Sequence, residues 1–130
     1  MKNNNDFVKE WFEKADSNIL NMKNNLKAEK IPVDTICFHA QQTAEKYIKG
    51  YLIYYDIEFK LVHDLPYLVA FAVKIDKKFK DLYEISNKLN DYAIDIRYPH
   101  FYTPTPVEAK EAYKITLKAK ESVLSRIKIL

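Results

Sequence analysis

Glycine is almost missing from this chain of 130 residues, Gly50 being its only one. Tight hairpins and β-bulges draw on backbone with positive φ, which glycine supplies most readily, so an all-β sandwich or barrel is a poor match for the composition. The same scarcity removes glycine-rich phosphate cradles, both the dinucleotide fingerprint and the P-loop, so that any nucleotide contact has to come from side chains. Cysteine is equally scarce. A lone Cys37 cannot close an internal disulfide, and three histidines without carboxylate-rich clustering do not form a zinc site. The expectation is a reducing, cytoplasmic setting with no structural metal and no cofactor. The longest apolar stretch, Leu65 to Val73, is interrupted by Pro66 and falls well short of the ~20 residues that span a bilayer. The polar start M-K-N-N-N-D lacks the apolar run of a signal peptide. Arginine is scarce too: Arg97 and Arg126 stand alone among lysines, and because arginine is the residue suited to bidentate phosphate or carboxylate recognition, each raises a question. The balance of 21 basic against 18 acidic residues gives +3, too little to mark a nucleic-acid footprint by itself.

What is present in quantity is apolar periodicity. With 48% hydrophobic residues, the chain can bury a core, and its apolar positions recur every three or four residues, as on one face of a helix. Phe7, Trp11, Ala15, Ile19, Met22 and Leu26 predict a first helix from Asp6 to about Ala28. Pro32 marks the next start, and Val33, Cys37, Ala40, Ala44, Tyr47, Ile48, Tyr51 and Tyr55 predict a second helix to about Tyr55. Gly50 inside it points to close helix packing or a bend. Asp64 before Leu65 and Pro66 reads as an N-cap followed by a first-turn proline, opening a third helix to about Ile75. Phe79, Leu82, Ile85, Leu89, Tyr92, Ala93 and Ile96 make a fourth, which ends before Pro99. Thr105, Pro106, Val107 and Glu108 form a capping box, from which Ala109, Ala112, Thr116, Ala119, Val123 and Ile127 carry the fifth helix. The expectation is an all-α fold, an up-and-down bundle of four to five helices in a single domain over residues 1–130. The apolar, tyrosine-rich stretch Tyr47 to Tyr55 is the candidate for a face covered by a second subunit.

The polar anomalies surround the histidines. His39, Gln42 and Lys46 share one face of the second helix, where His39 and Gln42 either point into a cleft or toward a partner subunit, or form ordinary hydrogen bonds at a helix interface. Asp64 reads as a cap with His63 beside it. Arg97, Tyr98, His100 and Tyr102 crowd into six residues between the fourth and fifth helices, where a loop can present all of them to one ligand. A guanidinium for phosphate, an imidazole for proton transfer and aromatic faces for bases make a nucleotide or RNA contact set. The alternative is that Arg97 pairs with Asp95 and Tyr98 fills the core. Lys110, Lys114 and Lys118 form a basic strip that solvation explains as well as phosphate contact.

The segments W-F-E-K-A-D at Trp11 to Asp16, C-F-H-A-Q-Q-T-A-E-K at Cys37 to Lys46, H-D-L at His63 to Leu65, R-Y-P at Arg97 to Pro99 and T-P-V-E-A-K-E-A at Thr105 to Ala112 together resemble the HEPN family over nearly the whole chain. That resemblance implies a bundle of four or five helices, a homodimer formed through long helices and, in prokaryotes, frequent pairing with a minimal nucleotidyltransferase as a toxin and antitoxin module. Active ribonucleases of the family act without metal and place an arginine four to six residues ahead of a histidine. Here only Tyr98 and Pro99 separate Arg97 from His100, and the chain is more similar to the R-Y-P group, to which nucleotide binding is usually assigned. The expected function is therefore a homodimeric module that binds a nucleotide, RNA or a nucleotidyltransferase partner, through Arg97, Tyr98, His100, Tyr102, His39 and Gln42. The alternative is a metal-independent ribonuclease using Arg97 and His100. In some toxin members a tyrosine two residues beyond the histidine is modified with AMP, and Tyr102 is similar in position.

Overall fold

Three of the five α-helices in this chain start at side chains that accept the first free backbone N–H groups. In the computed structural model, which describes residues 3–95 and 104–128, Asn3 and Asp6 form a reciprocal capping box and open α1 (Asn4–Leu26) two residues ahead of the point the periodicity predicts. Helix α2 (Val33–Tyr54) follows Pro32. Asp64 accepts from the Tyr67 N–H at 3.1 Å and opens α3 (Leu65–Ile75), as expected of a cap before a first-turn proline. After a 3₁₀ turn at Lys77–Phe79 come α4 (Lys80–Asp95) and α5 (Pro106–Leu124), the latter opened by the Thr105–Glu108 capping box. Among the described residues there is no strand, and the all-α bundle expected from the periodicity is what forms.

The one glycine is spent inside a helix, so the left-handed position that ends α2 falls to Asp56, at φ 56°. Asp is among the residues that adopt this region most easily after glycine. The Asp56 N–H donates to the Ile53 carbonyl at 3.0 Å and the Ile57 N–H to that of Leu52 at 2.9 Å, the paired closure that finishes a helix turning through a left-handed residue.

Helix α2 lies at the centre and touches each of the other four helices. α1 runs antiparallel to it, with the Asn4 amide bonded to Asp56 at one end and Asp16 to the Tyr47 hydroxyl further along. α5 runs in the same direction as α2, since Thr116 reaches the Ala40 carbonyl at 3.1 Å while the Tyr55 hydroxyl reaches that of Arg126 at 3.2 Å. The connection after α2 runs back along the bundle, so that α3 begins level with the middle of α2, and α4 returns beside both. Small side chains bring α5 close: Ala109, Ala112, Thr116, Ala119 and Val123 are all fully buried, the stripe the spacing predicts.

Two expectations change. On α1 the buried positions are Val8, Phe12, Ala15 and Met22, whereas Phe7 is 44% exposed and Trp11 only half-buried. Adjacent apolar pairs at 7–8 and 11–12 fit two stripes a residue apart, and packing against Tyr47 and Gly50 selects the second. The stretch Tyr47 to Tyr55 is mostly core rather than an exposed face, only Ile53 to Tyr55 reaching the surface. Tyr47, Ile48, Tyr51 and Leu52 are completely buried within the single chain, because α2 is enclosed by its own neighbours.

Gly50 confirms the close packing its position suggests. A Cβ there would lie 2.5 Å from Phe12 Cε1, and that ring is stacked on Tyr47 with centroids 4.9 Å apart, so it cannot step aside freely. Gly50→Ala is therefore expected to lower stability in urea denaturation by about 1–3 kcal/mol, against the few tenths to 1 kcal/mol of gain that the same change brings in an open helix.

Candidate functional site

A helix enclosed on most sides has to satisfy its polar residues internally. Gln41, Glu45 and Lys49 follow one another at four-residue spacing on α2 and are 0%, 1% and 7% exposed, respectively. A buried carboxylate is tolerated only when paired and hydrogen-bonded, and that of Glu45 is held on both oxygens. Oε1 receives Lys49 Nζ at 2.9 Å and His63 Nδ1 at 3.1 Å, while Oε2 accepts from the Gln41 amide. Asn90 on α4 joins the group by accepting from the Leu65 backbone N–H at 3.1 Å and lying 3.5 Å from the same Gln41 amide nitrogen. One carboxylate thus ties the centre of α2 to the residues that open α3. Of its three donors only His63 reaches solvent, with a side chain 65% exposed; with Nδ1 donating to Glu45, its Nε2 is turned away from the carboxylate.

The sequence-predicted ridge adjoins this network. Gln42 donates to the Gln41 side-chain oxygen at 2.7 Å, so a continuous chain of hydrogen bonds runs from half-buried Gln42 through Gln41 and Glu45 to His63. His39, Gln42 and Lys46 lie half-buried in one row, as their spacing predicts. The His39 ring stands edge-on to Phe38 at 6.0 Å, and its backbone carbonyl accepts from the Thr43 hydroxyl at 2.6 Å. Burial holds the His39 imidazole below its usual pKa, and the positive charge of Lys46 adds to the effect. Lys46 is itself lowered, chiefly by burial and then by repulsion from Lys14, with Glu45 pulling the other way and Lys49 adding further repulsion. The row therefore presents a neutral imidazole, an amide and closely spaced cations, a combination that favours an anion.

Arg97, Tyr98, His100 and Tyr102 lie outside the described residues, as does the proposed Arg97–Asp95 pairing. Their flanks do not. α4 closes at Asp95 and the α5 cap stands at Thr105, at the end of the bundle where α2 starts. Tyr92 is buried there, near Cys37 and Glu108, and its hydroxyl has no hydrogen-bond partner among the described residues. The Cys37 thiol is pushed up to about 12 by burial, with Glu108 and Asp34 contributing, which removes it as a nucleophile at neutral pH.

The second arginine has a structural assignment. Arg126 Nε donates to Asp76 at 2.8 Å, its Nη1 donates to the Ser122 carbonyl at 2.7 Å, and the guanidinium lies 4.7 Å from the Phe79 ring centroid. It clamps the end of α5 to the 3₁₀ turn. Lys110, Lys114 and Lys118 are exposed, as the solvated reading has them. What sequence reasoning missed is the Gln41–Glu45–Lys49–His63 network. The available signal was polar residues at four-residue spacing on a helix whose other sides are apolar, followed by a histidine next to a helix cap.

The family model described as HEPN domain matches residues 8–127, from the first turns of α1 to beyond the end of α5. No curated protein and no solved structure matches the chain. Among the described residues, no helix is long and apolar enough to cross a membrane.

Glu45→Ala strands the Lys49 ammonium in the interior without its partner and is expected to remove about 3–5 kcal/mol of stability in urea titrations, whereas His63→Ala, which removes a largely exposed ring and leaves Glu45 its Lys49 and Gln41 partners, removes about 1 kcal/mol. His39 gives a pH dependence of definite sign. The folded chain keeps it neutral while the unfolded chain binds a proton near the ordinary value of about 6.5, so its contribution is intact above that pH and is lost as the pH falls below it. Thermal melts at pH 7 and pH 5 are expected to differ more for the parent protein than for His39→Gln.

Proposed function

The chain belongs to the HEPN family, and from that premise we propose that it is a homodimeric binding module for a nucleotide or RNA, its ligand held by Arg97, Tyr98, His100 and Tyr102 together with His39 and Gln42. Residues 1–130 act as one cytoplasmic domain in this reading, assigned to the R-Y-P group on Arg97 to Pro99. The observation that carries it is the row on α2. His39 is kept neutral by burial and can accept or donate a hydrogen bond, Gln42 adds an amide, and Lys46 sits close enough to Lys14 and Lys49 for their charges to repel. A bound phosphate relieves that repulsion. The row rises from the end of the bundle where α4 closes and α5 begins, the two helices that flank the R-Y-P-H-F-Y segment.

The same chemistry suits a protein partner that delivers nucleotides. We extend the reading to a minimal nucleotidyltransferase encoded beside this chain, the two forming a toxin and antitoxin pair, with Tyr102 as acceptor of AMP. Native mass spectrometry of the protein from its own host is expected to show a co-purifying nucleotidyltransferase or an AMP adduct on Tyr102; a bare chain removes this extension and leaves the binding module.

Calorimetric titration of the purified protein with ATP and with a short single-stranded RNA, in the absence of divalent metal, tests the core of the proposal. Binding is expected, weakened by roughly tenfold or more in Arg97→Ala and in Lys46→Ala, since each change removes a charged contact to phosphate. Absence of binding to either probe, or binding that both variants leave unchanged, overturns it. Cleavage of the RNA that disappears in His100→Ala replaces it with the metal-independent ribonuclease, in which His100 moves the proton and Arg97 holds phosphate charge.

A further inference from the structure

Helices α1 and α5 both pack on α2 and run antiparallel to one another, leaving between them a groove of about 520 Å3. Its floor is the Phe12 ring, 7% exposed and stacked on fully buried Tyr47. One end is closed. There Lys120 Nζ meets Asp16 Oδ1 at 2.9 Å, on the carboxylate oxygen that also accepts from the Tyr47 hydroxyl, and the ammonium lies 6.0 Å from the Tyr47 ring centroid. Toward the other end the two walls differ in kind. The α5 wall is apolar, with Leu124 41% exposed and Ile127 beyond it half-buried. The α1 wall carries Lys9 and Glu13, both exposed, one turn apart and opposite in sign. Neither makes an ion pair with a described residue, including the other.

A pocket of this size between the helices of a bundle, apolar apart from a few charges along one side, suits a small organic ligand. The lining sets what that ligand has to carry. An aromatic floor beside two aliphatic side chains takes a flat apolar ring, which meets Phe12 in an offset or edge-on arrangement. A cation and an anion within one helical turn take two opposite charges held close together. A fatty acid answers only Lys9, and an aromatic amine only Glu13. An α-amino acid carries its carboxylate and its ammonium on a single carbon atom, and with an aromatic side chain it supplies both halves of the match.

We infer that the α1/α5 groove is a binding site for a free aromatic amino acid, the ring lying on Phe12 against Leu124 and Ile127, the carboxylate on Lys9 and the ammonium on Glu13. This site is separate from the His39–Gln42–Lys46 row. Trp11, with Lys49 Nζ 5.8 Å from its ring centroid, and Lys14, close enough to Lys46 to repel it, stand on the flank of α1 that adjoins the row. Lys9, Phe12, Glu13 and Asp16 stand on the groove flank. The amino-acid site and the nucleotide or RNA reading therefore stand or fall independently.

Calorimetric titration of the full chain with L-phenylalanine tests it, with phenethylamine and hydrocinnamate as analogues that each lack one of the two charges, in the parent protein, Lys9→Gln and Glu13→Gln. L-phenylalanine is expected to bind the parent, and each analogue to bind roughly fivefold more weakly, the most that an exposed ion pair supplies. Lys9→Gln is expected to weaken L-phenylalanine and hydrocinnamate by the same factor and to leave phenethylamine unchanged; Glu13→Gln is expected to weaken L-phenylalanine and phenethylamine and to leave hydrocinnamate unchanged. Both side chains are exposed and unpaired, so the two variants keep the fold, which their thermal melts verify. Absence of binding to the parent up to about 10 mM L-phenylalanine overturns the site. So does binding that both variants leave unchanged, or an analogue that binds the parent as tightly as the amino acid.

Discussion

The Glu45 carboxylate is the interaction around which this bundle is organised. α2 is packed against α1, α3, α4 and α5, and a helix in that position keeps only a narrow wet strip for its polar residues. A charge inside it must bring its own partners. Glu45 does so with Lys49 from its own helix, Gln41 one turn before, and His63 from the connection that precedes α3. Such a pair adds little to stability over an apolar filling of the same shape, since desolvation offsets most of the attraction. What it contributes is position. The imidazole contact fixes where the 55–64 connection meets α2, and Asn90 ties the opening of α3 to α4 through the Leu65 N–H. An apolar contact of equal area fixes no such register.

Around this centre the interior is chemically quiet. Burial raises the Cys37 thiol and the Tyr47, Tyr51 and Tyr92 hydroxyls, in each case as the largest cause, so none of these groups ionises near neutral pH. At the edge of the network His39 stands in its half-buried row, its imidazole held below the usual value by burial and then by Lys46.

Much of the fold was legible because local chemistry and global packing agree. The α5 stripe, the Asp64 and Thr105 caps and the close approach at Gly50 each follow from one residue type suited to one position. On α1 the reading slipped by one residue, because Phe7 and Trp11 are as apolar as Val8 and Phe12, and only the neighbour across the interface decides between them. The buried network was illegible for a different reason: Glu and Lys on a helix are taken as solvated unless the helix is known to be central, and centrality is a property of five helices together. Tyr47 to Tyr55 was misread on the same ground. Of the candidate site, the His39–Gln42–Lys46 row was readable from spacing alone, its link to His63 was not, and the cluster from Arg97 to Tyr102 falls outside the described residues.

The closure at Asp56 bears on how this domain can be joined to others. The Asn4 amide bonds to Asp56, and the backbone N–H of Lys128 approaches the Tyr54 hydroxyl at 3.4 Å, so the first and last described turns of the chain meet at the C-terminal end of α2. α4 closes and α5 opens at the opposite pole. An appended protein, at whichever end, therefore projects away from the pole of the α4–α5 junction, and a short linker across the Asp56 side would allow the helices to be re-ordered by circular permutation with new ends cut elsewhere.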